Sequence, residues 1–247
     1  MATPEDRKMW AEVHQDQSST HANSTNGQLT MSRRGKLNVA SHGKPMTNVA
    51  EQGEYFVATN PTAGTGVAGL AAADGINPLE ALCVLTNDNT AASGKRIYLD
   101  FLTLFVTAAG TNGTDVAFVH HVDNADRYTS GGSAITEVNP NADSSNTSGA
   151  TIYFGAIVAP AATSARLLGG GILRVVISVI GDIYNFNFGG HGDVSAAGIV
   201  NSTAPAVMNV PCVPVILGQG DSWIFQLNCS SQSVAKSLEF QLGYWEY

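Results

Sequence analysis

The chain has 247 residues, of which 44% are hydrophobic and only 13% are charged, and its formal net charge is −8. Soluble proteins are typically about 25% charged, so Ser, Thr, Asn and Gly must cover much of this surface. Such a composition is typical of β-sandwich proteins and unusual for a cytosolic enzyme. The negative charge argues against non-specific nucleic-acid binding. No apolar run approaches the ~18–20 residues of a membrane span.

The first 54 residues differ from the rest and are predicted to form an extended N-terminal arm. They hold six basic and six acidic residues, whereas residues 55–247 hold six basic and fourteen acidic ones, so the second part carries 6 − 14 = −8. Thr3 as a cap and Pro4 at the first helical position predict a short helix near residues 4–16.

Met9, Trp10 and Val13 would share one face of that helix. They are therefore candidate anchors that dock the arm on a neighbouring molecule. A disordered tail is the alternative, because residues 18–30 are polar and contain too little apolar material to fold alone.

Arg33, Arg34, Lys36 and Lys44 form a small basic patch further along the arm. The patch is either a solvated loop or a contact with an acidic surface, such as the negatively charged body of a neighbouring copy. Nucleic acid is a weaker alternative, because no aromatic residues alternate with the basic ones.

Residues 55–247 are predicted to fold as one all-β body. Apolar and alternating runs separated by turn residues predict about eight strands, and an antiparallel jelly-roll-like sandwich accommodates them best. Gly181-Asp182 indicates a tight hairpin between its flanking strands. Two segments depart from this pattern, since residues 78–82 favour a short helix and residues 189–211 a long loop. The predicted strands cover residues 82–86, 97–107, 116–122, 151–157, 172–180 and 183–188, and residues 213–217 lead into the terminal pair, 222–228 and 237–247.

Two short motifs mimic enzyme signatures without their context. Residues 64–69 match a dinucleotide-binding glycine pattern, but no strand–helix unit surrounds them, so a glycine loop is predicted. Gly220-Asp-Ser222 is similar to the first block of GDSL-type hydrolases, yet no histidine follows Ser222 to act as its base. A turn in which Asp221 bonds local backbone is the better interpretation.

His120, His121 and Asp123 are the remaining candidate ligands for a metal. Successive residues of a strand point to opposite faces, so the two histidines cannot easily bind one ion. The sequence therefore predicts no metal, no cofactor and no catalytic residues.

Four segments resemble structural proteins of tailed-bacteriophage heads: residues 56–66, 94–104, 122–132 and the terminal stretch 218–246. The resemblance covers roughly residues 30–247 and implies a jelly-roll-like capsid cement or decoration protein. It further implies a homotrimer on the capsid exterior of the virion, with the major capsid protein as partner and with neither nucleic acid nor membrane.

The N-terminus contains no apolar signal core, so synthesis in the host cytoplasm is expected. A receptor- or glycan-binding module of a head or tail fibre is the alternative function, because jelly rolls also serve as lectins. Tyr128, Tyr184 and Trp245 are the aromatic residues that could stack on sugars in that case.

Overall fold

Strands make up most of the structure, a computed structural model that describes residues 45–69, 80–113, 115–159, 164–189, 203–229 and 231–247. One short helix precedes thirteen strands in these ranges. The elements are α1 Pro45–Glu51, β1 Tyr55–Thr59, β2 Val67–Ala68, β3 Glu80–Asn87, β4 Ile97–Ala108, β5 Val116–Asp123, β6 Ser130–Ile135, β7 Ala150–Val158, β8 Arg166–Arg174, β9 Ile183–Phe188, β10 Val207–Cys212, β11 Ile216–Leu217, β12 Ser222–Cys229 and β13 Ser237–Glu246.

The strands form two sheets that pack face to face. The first sheet has the order β1-β13-β4-β9-β10, with β2 added to β13 and β11 to β4. The second has the order β6-β7-β3-β12-β5-β8. Every pair is antiparallel except β9 with β10. The predicted all-β antiparallel sandwich is confirmed.

Alternating apolar residues build the core between the sheets. Leu238, Phe240 and Leu242 of β13 are all buried on one face, as their spacing predicts. Phe240 stacks on Phe154 of the opposite sheet, with ring centroids 3.8 Å apart. Contacts of this kind across the interior fix the spacing of the two layers.

β12 is buried on both of its faces, because a loop covers the outside of the second sheet. Residues 124–129, the crossing segment, lead from β5 to β6 at the far edge and must pass β12, β3 and β7. Ser222 donates a hydrogen bond to the Ala125 carbonyl at 2.6 Å. Tyr128 stacks on Tyr153 of β7, with ring centroids 3.5 Å apart.

The hairpin predicted at Gly181-Asp182 is wrong. β8 ends at Arg174 and pairs with β5, whereas β9 pairs with β4 in the other sheet. The Asp182 carboxylate accepts hydrogen bonds from the amides of Val179 (2.8 Å) and Ala206 (2.9 Å). A side chain thus holds residues 175–182 in a crossover between the sheets.

Two further segments differ from the sequence prediction. Residues 80–82 belong to β3 instead of a helix, since Glu80 and Ala81 pair with β7. The predicted loop 189–211 contains most of β10, which pairs in parallel with β9. Pro211 is compatible with β10 because that strand is at the edge of its sheet.

The C-terminal strand lies inside the first sheet, between β1 and β4. Beyond the ladder, the buried Glu246 carboxylate accepts hydrogen bonds from Ser148 Oγ (2.5 Å), the Gly149 amide (2.8 Å) and Asn89 Nδ2 (3.2 Å). Glu246 therefore ties two loops of the second sheet to the end of β13.

Candidate functional site

All predicted docking residues lie outside the residues that the structure describes. The short helix expected near residues 4–16 lies outside them as well. The described residues therefore have to be searched for other candidate sites. The docking residues in question are Met9, Trp10, Val13, Arg33, Arg34 and Lys36.

Ser222 has the surroundings of a structural hydroxyl. It is fully buried, the crossing segment lies over it, and its proton is donated to a carbonyl. The Asp221 carboxylate accepts a hydrogen bond from the Gly218 amide at 2.8 Å, which confirms the predicted turn. This geometry favours a role for Gly220-Asp-Ser222 in shaping the entry to β12.

The two adjacent histidines point to opposite faces of β5, as predicted. His120 is buried in the core, where Trp223 Nε1 donates to its Nδ1 at 3.4 Å. His121 is half-buried on the other face. Among the described residues, no group of three or more His, Cys, Asp or Glu side chains is placed to hold a metal ion.

Burial makes His120 an acid-sensitive element of the core. Desolvation, with a smaller contribution from His121, lowers the pKa of His120 to about 4. Burial also lowers the pKa of His121. A free histidine has a pKa of about 6.5, so the unfolded chain binds the proton first as the pH falls.

We expect the protein to lose stability between pH 6.5 and pH 4, with His120 responsible for about 2–3 kcal/mol of the loss. Urea unfolding of the parent and of His120→Gln at both pH values tests this. The variant should be less stable at neutral pH but less sensitive to acid. His121→Gln is the matched control and should change the pH dependence less. An equal acid sensitivity of parent and His120→Gln would contradict the expectation.

One edge of the sandwich exposes a set of apolar side chains. Here β8 ends the second sheet and β10 ends the first. A fully buried ion pair joins Arg174, the last residue of β8, to Asp182. Asp182 also accepts a hydrogen bond from the amide of Ala206, the residue before β10, so the end of β8 and the start of β10 lie close together. Within residues 164–189 and 203–212, Asp182 is the one acidic residue. The side chains that form this β8 edge are 41–65% exposed and comprise Leu167, Ile172, Val175, Ile180 and Val207.

The aromatic residues considered for glycan stacking have different surroundings. Tyr184 is fully buried, and its hydroxyl bonds to Ser178 and Asp182. Trp245 is half-buried on the outer face of the first sheet and stacks on Tyr98, with centroids 5.5 Å apart and planes 6° apart. This pair is the better candidate for a sugar platform.

Compared with known proteins, the chain matches no family model, no curated protein and no solved structure. Within the part of the chain that the structure describes, no helix has the length and apolar character needed to cross a membrane.

The sequence reasoning missed the β8 edge. The apolar pattern places the start of this strand at Ile172, whereas β8 begins at Arg166 and contains three consecutive glycines. Glycine is depleted in strands, so strand propensity does not predict the segment that contains Gly169, Gly170 and Gly171. The symmetric spacing of leucine and arginine around the glycines was the available signal.

Proposed function

We propose that the chain is a non-enzymatic structural protein of a virus particle. In this proposal it is a capsid cement or decoration protein that binds the outer surface of a phage head and stabilises contacts between capsomers. The strand order of the two sheets is the observation that carries the proposal. The resemblance of residues 56–66, 94–104, 122–132 and 218–246 to phage head proteins agrees with it.

The strand order supports a jelly roll. Without the accessory strands β2, β6, β7, β10 and β11, the first sheet has the order β1-β13-β4-β9 and the second β3-β12-β5-β8. In chain order these eight strands change sheet at every step except from β5 to β8, which is the order expected for the two interlocked Greek keys of a jelly roll. Jelly rolls are frequent in viral capsid proteins and in lectins. A sandwich of this kind gives a decoration protein a rigid body.

The charge distribution supports docking through the arm. Residues 55–247 carry a net charge of −8, whereas Arg33, Arg34 and Lys36 cluster in the arm. An arm that contacts a neighbouring subunit would add a second, weak attachment to that of the body. Several weak contacts made together give an avidity well above that of each alone.

Purified particles of the virus that encodes the chain should contain it at a fixed, high ratio to the major capsid protein, measured by quantitative mass spectrometry. A cement protein is present in hundreds of copies, whereas a fibre module is present in few. Absence of the chain from the particles would refute the proposal.

Binding of the full-length chain to particles from which the chain has been removed tests the role of the arm as an anchor. The variant with Trp10→Ala, Arg33→Glu and Arg34→Glu should bind to these particles at least about tenfold more weakly than the parent. The matched control is Lys95→Glu with Arg96→Glu, the same charge change in the body between β3 and β4. Equal binding of the two variants would dismiss the arm as an anchor.

A receptor- or glycan-binding module is the second candidate function, favoured by the Tyr98–Trp245 pair. Tyr55 lies on the same outer face, opposite Trp245, and its hydroxyl donates to Asp100 at 2.8 Å. Aromatic faces beside a carboxylate are suited to sugar rings with their hydroxyl groups. A glycan array on which the parent binds and Trp245→Ala does not would favour this function, whereas no signal would count against it.

A further inference from the structure

β8 is an open edge of the second sheet. It pairs with β5 on one side, and no other described strand pairs with it. Its register with β5 is regular over residues 169–172 and shifts only at the two ends. Natural edge strands are usually blocked by charge, proline or a bulge, and Pro211 has this role in β10. The middle of β8 carries none of these.

The sequence of β8 is nearly the same when it is reversed. Arg166–Arg174 reads Arg-Leu-Leu-Gly-Gly-Gly-Ile-Leu-Arg, with Gly170 at its centre. In an antiparallel pair centred on Gly170, glycine lies opposite glycine, Ile172 lies opposite Leu168, and Leu167 lies opposite Leu173. This self-complementarity is what a two-fold interface requires of a strand.

We propose that β8 pairs antiparallel with β8 of a second copy of this chain, about a two-fold axis at Gly170. The main-chain amide and carbonyl groups at the free edge of each β8 then form hydrogen bonds with those of the other β8. The two six-stranded sheets thereby form one continuous sheet. The exposed side chains of Leu167 and Ile172 lose water as the strands meet.

Charge favours this edge over the rest of the body as a contact between copies. Two chains of net charge −8 repel each other, so they approach best where exposed carboxylates are absent. The one acid within residues 164–189 and 203–212 is Asp182, which is buried against Arg174. Arg166 of one strand would lie near Arg174 of the other. The positive charge of Arg174 is neutralised by its ion pair with Asp182.

Gly170 packs closely against β5 of its own copy. A Cβ atom on Gly170 would lie 2.8 Å from the Phe118 carbonyl oxygen and 3.0 Å from Val119 Cγ2. Gly170 is thus needed within one copy, and a substitution there would not test the pairing alone. Leu167 and Ile172 are exposed, so lysine at these positions leaves the core of the single copy unchanged.

Sedimentation equilibrium of the full-length chain provides the test. The parent should reach twice the chain mass of 25.7 kDa as concentration rises. Leu167→Lys with Ile172→Lys should weaken the association at least about tenfold. Val138→Lys with Val234→Lys, at similarly exposed apolar positions outside β8, is the matched control and should associate like the parent.

A parent that stays at the mass of one copy would overturn the proposal. So would an association, to two copies or to the three that the resemblance implies, that the β8 variant retains. Hydrogen exchange of the parent is the second measurement and needs no variant. The amides of residues 168–172 that face away from β5 should gain protection as concentration rises, and constant protection would contradict the pairing.

The inference does not depend on capsid binding. A chain that pairs through β8 but is absent from particles would refute the proposed function and leave the pairing intact. A chain found on particles as single copies would do the reverse.

Discussion

Replacing Asp182 by alanine is expected to destabilise the protein by about 3–5 kcal/mol, because the change removes one charge of a fully buried ion pair with the Arg174 guanidinium. Both side chains of this ion pair are fully buried. The same carboxylate accepts hydrogen bonds from the Val179 and Ala206 amides and from the Tyr184 hydroxyl. The Asp182 carboxylate therefore joins segments of both sheets.

Urea unfolding monitored by tryptophan fluorescence measures the loss as a lower midpoint with an unchanged slope. Asp88→Ala, at an exposed acid in the loop after β3, is the matched control and should cost less than about 0.5 kcal/mol. The double variant Arg174→Met with Asp182→Leu should be more stable than Asp182→Ala, since it removes both charges of the buried pair. A loss below about 1 kcal/mol for Asp182→Ala would contradict this account.

Replacing Lys236 by methionine is expected to stabilise the protein at neutral pH by about 3 kcal/mol. The side chain is 1% exposed, and its Nζ has no hydrogen-bond partner among the described residues. Burial lowers the pKa of Lys236 to about 8, an effect that Cys229 and Asp115 oppose in part. Methionine keeps the length of the side chain and removes the charge.

The stabilisation depends on pH in a defined direction. The folded state binds the proton of Lys236 less tightly than the unfolded chain, whose lysine pKa is about 10.4. The parent therefore gains stability as the pH rises from about 8 towards 10.4, and below this window the full penalty is present.

Unfolding free energies of the parent and Lys236→Met at pH 7 and pH 10 test this expectation. The difference between them should be largest at pH 7 and small at pH 10. Lys95→Met, in the partly exposed loop before β4, is the control and should change little at either pH. A destabilised Lys236→Met, or a difference that does not depend on pH, would contradict the explanation.

The strands that the sequence predicted best are those that alternate strictly. The alternation of Leu238, Phe240 and Leu242 with polar residues predicts a half-buried strand, because only one face of the strand is apolar. Residues 175–180 are apolar except for Ser178, but they belong to the crossover after β8. A run of apolar residues does not distinguish a strand from a buried connection, and the hydrogen bond from the Ala206 amide to Asp182 joins residues 24 positions apart.

The candidate surfaces were less predictable than the fold. The crossing segment covers Ser222 only because β6 lies at the far edge of its sheet, which follows from the strand order and not from the residues nearby. The β8 edge likewise needs the topology, since Leu167 and Ile172 are exposed only because β8 comes last in its sheet. For the arm, Met9 and Trp10 remain predictions.

The position of β13 between β1 and β4 has a consequence for biosynthesis. The first sheet joins a strand near residue 55 to one near residue 100 through residues 237–246, which leave the ribosome later than either. Until then neither β1 nor the facing edge of β4 has its partner strand. Such long-range pairing is slow and leaves nascent chains open to aggregation. Completion of the first sheet therefore waits for β13, and abundant chaperones should favour the yield of folded protein.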